Sequence, residues 1–126
     1  MGKWVILIGD KSFSLNSFSD MKFYGKTDFK RGKHYIQALY ENDYVTFTED
    51  YNLLIRKDYE TKELNSLPFP DAKMIMLTYS NMAILKNIIS EEAFPKDIII
   101  DCDGVDLGLD TVINKSRLIN DIDLIL

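Results

Sequence analysis

Residues 4–8 read Trp-Val-Ile-Leu-Ile, apolar at every position over only five residues. That run is far too short to cross a bilayer and too short for the apolar core of a signal peptide. It is also too unbroken for a strand with one wet face, which would alternate apolar and polar residues. It therefore predicts a central strand covered on both faces, ended by Gly9-Asp10. The segment 73–79 (KMIMLTY) and the triplet Ile98–Ile100 carry the same signature. Strands of this kind need a sizeable core. A chain of 126 residues with 46% hydrophobic side chains can supply one, in a single domain.

The intervening segments suggest the rest of the architecture. Residues 21–24 (MKFY) read as a short second strand before Gly25. The runs 34–40 and 44–48 flank the polar Glu41-Asn42-Asp43 and predict an antiparallel hairpin. Its second strand alternates, with Val45 and Phe47 on one face and Tyr44, Thr46 and Thr48 on the other. Residues 52–56 read as a third strand of this meander, whereas 58–66 fit either a strand or a short helix. Ser80 or Asn81 can cap a helix whose apolar positions are Met82, Ile84, Leu85, Ile88 and Ile89. Phe94-Pro95 should stop it, because proline disfavours helix at the residue before it. Strand, helix and strand over 73–100 predict a right-handed parallel crossover. A further short helix is expected near Asp110–Asn120. The expected fold class is α+β: one domain over residues 1–126, with a mixed β-sheet, an N-terminal antiparallel meander, one C-terminal βαβ unit and helices packed on the sheet. No repeat or linker divides it.

Charge narrows the partners. The formal net charge is −5, which repels phosphate backbones and anionic lipid, so neither nucleic acid nor membrane is expected as a direct partner. Residues 1–35 hold seven basic and three acidic side chains; residues 71–126 hold five basic and ten acidic ones. The single cysteine, Cys102, rules out an internal disulfide and a cysteine-based structural zinc site, and permits a reducing compartment. With no leader evident, the expected location is the cytoplasm.

Candidate chemistry centres on residues 98–106, IIIDCDGVD. This stretch resembles the first motif of haloacid dehalogenase-like phosphatases: an apolar strand, an aspartate, one residue, a second aspartate, then a small turn. The resemblance implies Asp101 as the nucleophile toward phosphorus and Asp103 as the acid that protonates the leaving group, both near Mg²⁺. It also implies a site at the C-terminal end of a parallel strand. It covers nine residues. Only twenty residues follow Asp106, and they offer Lys115 but no strand to place a further acidic pair. A calcium loop starting at Asp101 would need Gly sixth and Glu twelfth, where the chain has Asp106 and Val112. Read by themselves, the residues are the polar, turn-forming end of a buried strand. Cys102 sits between two aspartates, a negative field that disfavours the thiolate. His34 is the only histidine, so no histidine metal cluster is expected. Ser12, Ser14 and Ser17 with His34 as base are compatible with a hydrolase triad by spacing, but no nucleophile-elbow motif accompanies them. Met74, Met76 and Met82 read as core.

The densest charge lies over residues 91–110, where Glu91, Glu92, Asp97, Asp101, Asp103, Asp106 and Asp110 face Lys96 alone. The expected partner-binding surface is Asp101, Asp103, Asp106 and Asp110, with Glu91 and Glu92. The stretch from Asp101 onward is the denser part and contains Gly104 and Gly108. A small, acidic, single-domain chain of this kind is similar in type to the bacterial immunity proteins that neutralise polymorphic or contact-dependent toxins. That resemblance spans the whole chain and transfers no residue role. It implies a cytoplasmic binding protein, not an enzyme, with no cofactor or metal and with a cognate toxin domain as partner. An acidic surface complements the basic cleft of a toxin that cuts nucleic acid. The alternatives are a small metal-dependent phosphoryl-transfer enzyme using Asp101 and Asp103, or a structural accessory domain.

Overall fold

The computed structural model describes residues 3–50, 67, 69–95, 98–101 and 112–114. They form an α+β fold: one sheet of seven strands, with a helix packed against it. The strands are β1 (Lys3–Gly9), β2 (Asp28–Arg31), β3 (Tyr35–Leu39), β4 (Tyr44–Glu49), β5 (Lys73–Tyr79), β6 (Ile99–Asp101) and β7 (Val112–Asn114). The helix α1 is Met82–Ser90. The spatial order is β2-β3-β4-β5-β1-β6-β7.

The three strands expected to be central are consecutive in this order, as β5, β1 and β6. Leu7 of β1 lies opposite Ile75 of β5 on one side and Ile100 of β6 on the other. Alternate β1 side chains go to opposite faces. Val5 and Leu7 join the larger core with α1, whereas Ile6 and Ile8 join a second cluster with Ala72 and Met74. Two apolar layers explain a strand with no polar face. Trp4 lies beyond this buried stretch and is 37% exposed.

The expected mixed sheet with a parallel crossover needs correction. Every described strand pair is antiparallel. β5 and β6 do run the same way, since each is antiparallel to β1, but β1 lies between them. The helical connection therefore spans one intervening strand. Burial on both faces shows that a strand is central but does not say which strands flank it.

The helix follows its sequence signals closely. Asn81 caps it, its side chain accepting from the Ile84 N–H at 3.0 Å, and Ile84, Leu85, Ile88 and Ile89 are buried. It ends at Ser90, five residues before Pro95, because Glu91 is already extended. The β3–β4 hairpin also forms as expected, with Val45 and Phe47 buried. Its turn is tied to the helix start: Asp43 Oδ1 accepts from the Ser80 hydroxyl at 2.8 Å and from the Asn81 side-chain amide. Ser80 Oγ in turn accepts from the Tyr44 N–H at 3.1 Å. Asp43→Ala should lower stability by about 1–2 kcal/mol in urea unfolding, because the Ser80 hydroxyl and the Asn81 amide both lose their shared acceptor. An unchanged midpoint would mean that water replaces these bonds at no cost.

The segment 21–24 is not a strand. Met21 and Phe23 are buried from a loop, and Phe23 takes a left-handed conformation with φ 49°. Before it, Leu15–Phe18 form a short 3-10 helix capped by Ser14. Phe18 packs on Phe47 with ring centroids 4.5 Å apart and on Phe94 at 5.9 Å, joining this helix to β4 and to the segment after α1. In place of the short helix expected near Asp110–Asn120, residues 112–114 form β7, and the remainder of that segment lies outside the described residues. So do the expected third meander strand at 52–56 and the segment 58–66.

Candidate functional site

β6 and β7 anchor the acidic segment. Asp101, the last residue of β6, and Val112, the first of β7, are register partners, and residues 102–111 connect them in sequence. That connection carries Asp103, Asp106 and Asp110 and no basic residue. Cys102, Asp103, Asp106 and Asp110 lie outside the described residues, and Asp101 is the last residue of β6. The phosphatase motif implied a strand among parallel neighbours. Both described neighbours of β6, β1 and β7, are antiparallel to it.

Glu91 does something the sequence did not suggest. Its carboxylate accepts from the Lys22 N–H at 2.7 Å and from the Phe23 N–H at 2.9 Å, and the residue is only 9% exposed. It pins the loop that buries Met21 and Phe23, which removes it from the surface open to a partner. These groups lie 68 and 69 residues away in sequence, so no local pattern points to the contact. Burial, with the Glu91 charge nearby, pushes the Tyr40 phenol up to about 12. Glu92 is exposed and precedes β6 in the chain, whereas Asp101 ends that strand. Asp97 lies outside the described residues.

A second cluster forms at the other end of β1. A cavity of about 320 Å³ is lined by Lys11, Ser12, Ser14, His34, Glu49 and Lys73, among others, over apolar groups that include Phe13 and Met74. His34 Nδ1 lies 3.6 Å from Glu49 Oε1. The Glu49 N–H donates to the His34 carbonyl at 2.9 Å, continuing the hairpin ladder. Counting back from the Glu41–Asp43 turn would therefore have paired these two residues. Ser12 and Ser14 do meet His34 around one cavity, while Ser17 is not part of its lining. The Ser12 hydroxyl is committed to local structure, donating to Asp10 Oδ1 at 2.6 Å, while Ser14 Oγ accepts from the Asn16 N–H at 3.2 Å as a helix cap. The Ser12 hydroxyl and backbone N–H hold the exposed Asp10 carboxyl below its ordinary range. Lysines and carboxylates both line the cavity, and its volume is at the low end for ligand sites.

Compared with known protein families, curated proteins and solved structures, the chain matches none. Among the described residues no helix is long and apolar enough to cross a membrane.

Proposed function

We propose that this chain is a small cytoplasmic binding protein of the immunity type, which neutralises a cognate toxin domain by inserting its acidic connection, residues 102–111, into a basic cleft. The observation that carries this reading is the pairing of Asp101 with Val112. The residues that flank this acid-rich, base-free segment are thereby neighbours in the sheet, which supports reading them as its fixed base. A fixed base lowers the ordering cost of binding. The concentrated negative charge speeds encounter with a basic surface. Asp103, Asp106 and Asp110 make the contact, Asp101 anchors it, and Glu92 lies outside it.

The test uses the domain encoded by an adjacent toxin reading frame as probe. Reversing Asp103 and Asp106 to lysine should slow association about tenfold at low salt and flatten its salt dependence, with the melting temperature unchanged. Equal association rates for wild type and variant at both ionic strengths would remove this segment from the interface. Magnesium-dependent turnover of phosphate esters by the wild type, lost in Asp101→Asn, would replace the binding reading with phosphoryl transfer.

A further inference from the structure

The opposite end of the sheet carries an independent surface. β2 lies at an edge of the described sheet, and all four of its residues are exposed. Its register with β3, together with the bond from the Gly32 N–H to the Tyr35 carbonyl at 2.9 Å, shows which backbone groups are in use. Gly32 and Lys30 face β3, and the alternation of an antiparallel ladder turns the N–H and C=O of Phe29 and Arg31 outward. The Phe29 N–H accordingly donates to its neighbour Asp28 Oδ1, at 2.8 Å, and not to β3.

Residues 27–31 read Thr-Asp-Phe-Lys-Arg. About Phe29 this segment is self-complementary in charge. We propose that β2 pairs antiparallel with β2 of a second copy of this chain, with the two-fold axis at Phe29. In that register the Phe29 N–H leaves Asp28 Oδ1 for the Phe29 C=O of the second copy, the Phe29 C=O accepts the reciprocal bond, and the Asp28 carboxylate is released to meet a cation. Asp28 stands opposite Lys30 of the second copy, and the reciprocal pair forms on the other side of the axis. The other symmetric registers are unfavourable. Centring on Lys30, Arg31 or Asp28 sets each of those charges against its own copy, which destabilises a strand pair.

Side-chain direction agrees with this choice. Asp28 and Lys30 share one face of β2, whereas Phe29 and Arg31 share the other, across from Ala38 and Ile36. Phe29 is 39% exposed, and its ring is already oriented by stacking on Phe23 at 5.6 Å. Pairing would cover that exposed ring with its symmetry mate. The contact is isologous and closes at two copies, so it yields a dimer and not a fibre. An edge of four residues falls well short of the roughly 1,000 Å² that a stable interface buries, so the dimer is weak and concentration-dependent. Six strand spacings of about 4.8 Å separate β2 from β7 by about 29 Å, so the dimer contact and β7 lie at opposite edges of the described sheet.

Sedimentation equilibrium over a concentration series tests the pairing. The wild type should shift from monomer to dimer. Asp28→Lys alone and Lys30→Asp alone each place like charges in register and should weaken self-association by about tenfold. An equal mixture of these two variants sets two lysines against two aspartates and should restore dimers, as heterodimers. The double exchange Asp28→Lys/Lys30→Asp should restore association to within about threefold of wild type. Independently of any variant, exchange of the wild-type Phe29 and Arg31 amides should slow as concentration rises. A wild type that stays monomeric throughout, a dimer indifferent to the single variants, a mixture that fails to associate, or exchange unaffected by concentration would each overturn the pairing.

Discussion

Ile6→Asp is expected to abolish the cooperative unfolding transition of this protein. Ile6 is 3% exposed, lies in the middle of β1 and packs in the cluster with Ile8, Ala72 and Met74. An unpaired carboxylate there loses its hydration and gains no partner, which costs several kcal/mol even after relaxation. A domain of this size has only about 5–15 kcal/mol of net stability to lose. The measurement is a thermal melt followed by circular dichroism, with Ile6→Leu as control and an expected loss there of less than about 1.5 kcal/mol. Ile99 shares this face but is only half-buried, so Ile99→Asp should be milder. A native-like melt for Ile6→Asp would mean that β1 is not covered on both faces.

Glu91→Ala should be the next most damaging change, at about 3–5 kcal/mol, because two hydrogen bonds to a charged acceptor are lost and the N–H groups they satisfied are stranded. Glu91→Gln keeps the shape and one carbonyl acceptor, so it should cost roughly half as much. Urea unfolding gives the magnitudes. Native-state hydrogen exchange gives the location, since the Lys22 and Phe23 amides should lose protection before the rest of the core. A Glu91→Ala protein as stable as wild type would return this carboxylate to the acidic surface, with Glu92.

Some elements were legible because their signal is local. The apolar positions of α1 recur at helical spacing, and Asn81 stands where a cap is needed. The hairpin declares itself through the alternation of Val45 and Phe47 with polar neighbours. β2 was not legible, since a strand exposed at all four residues has no apolar face to mark it. The segment 21–24 misled for the opposite reason. Met21 and Phe23 alternate with polar or exposed residues as a strand would, yet the loop is held by Glu91 from across the fold. The candidate site divides similarly. The acidic stretch is visible as composition, whereas the meeting of Asp101 with Val112, and of Ser12 and Ser14 with His34 and Glu49, depends on register and chain path.

By itself, the sequence determined which strands lie inside the sheet and which helix stripe is apolar. Burial leaves a periodic imprint on the residues that undergo it. Only the tertiary structure decided that β1 lies between β5 and β6, that Glu91 turns inward, and that β2 stands at the edge. These outcomes depend on which backbone edges and buried N–H groups meet across tens of residues. Backbone groups are the same at nearly every position, so the sequence carries no local mark of their partners.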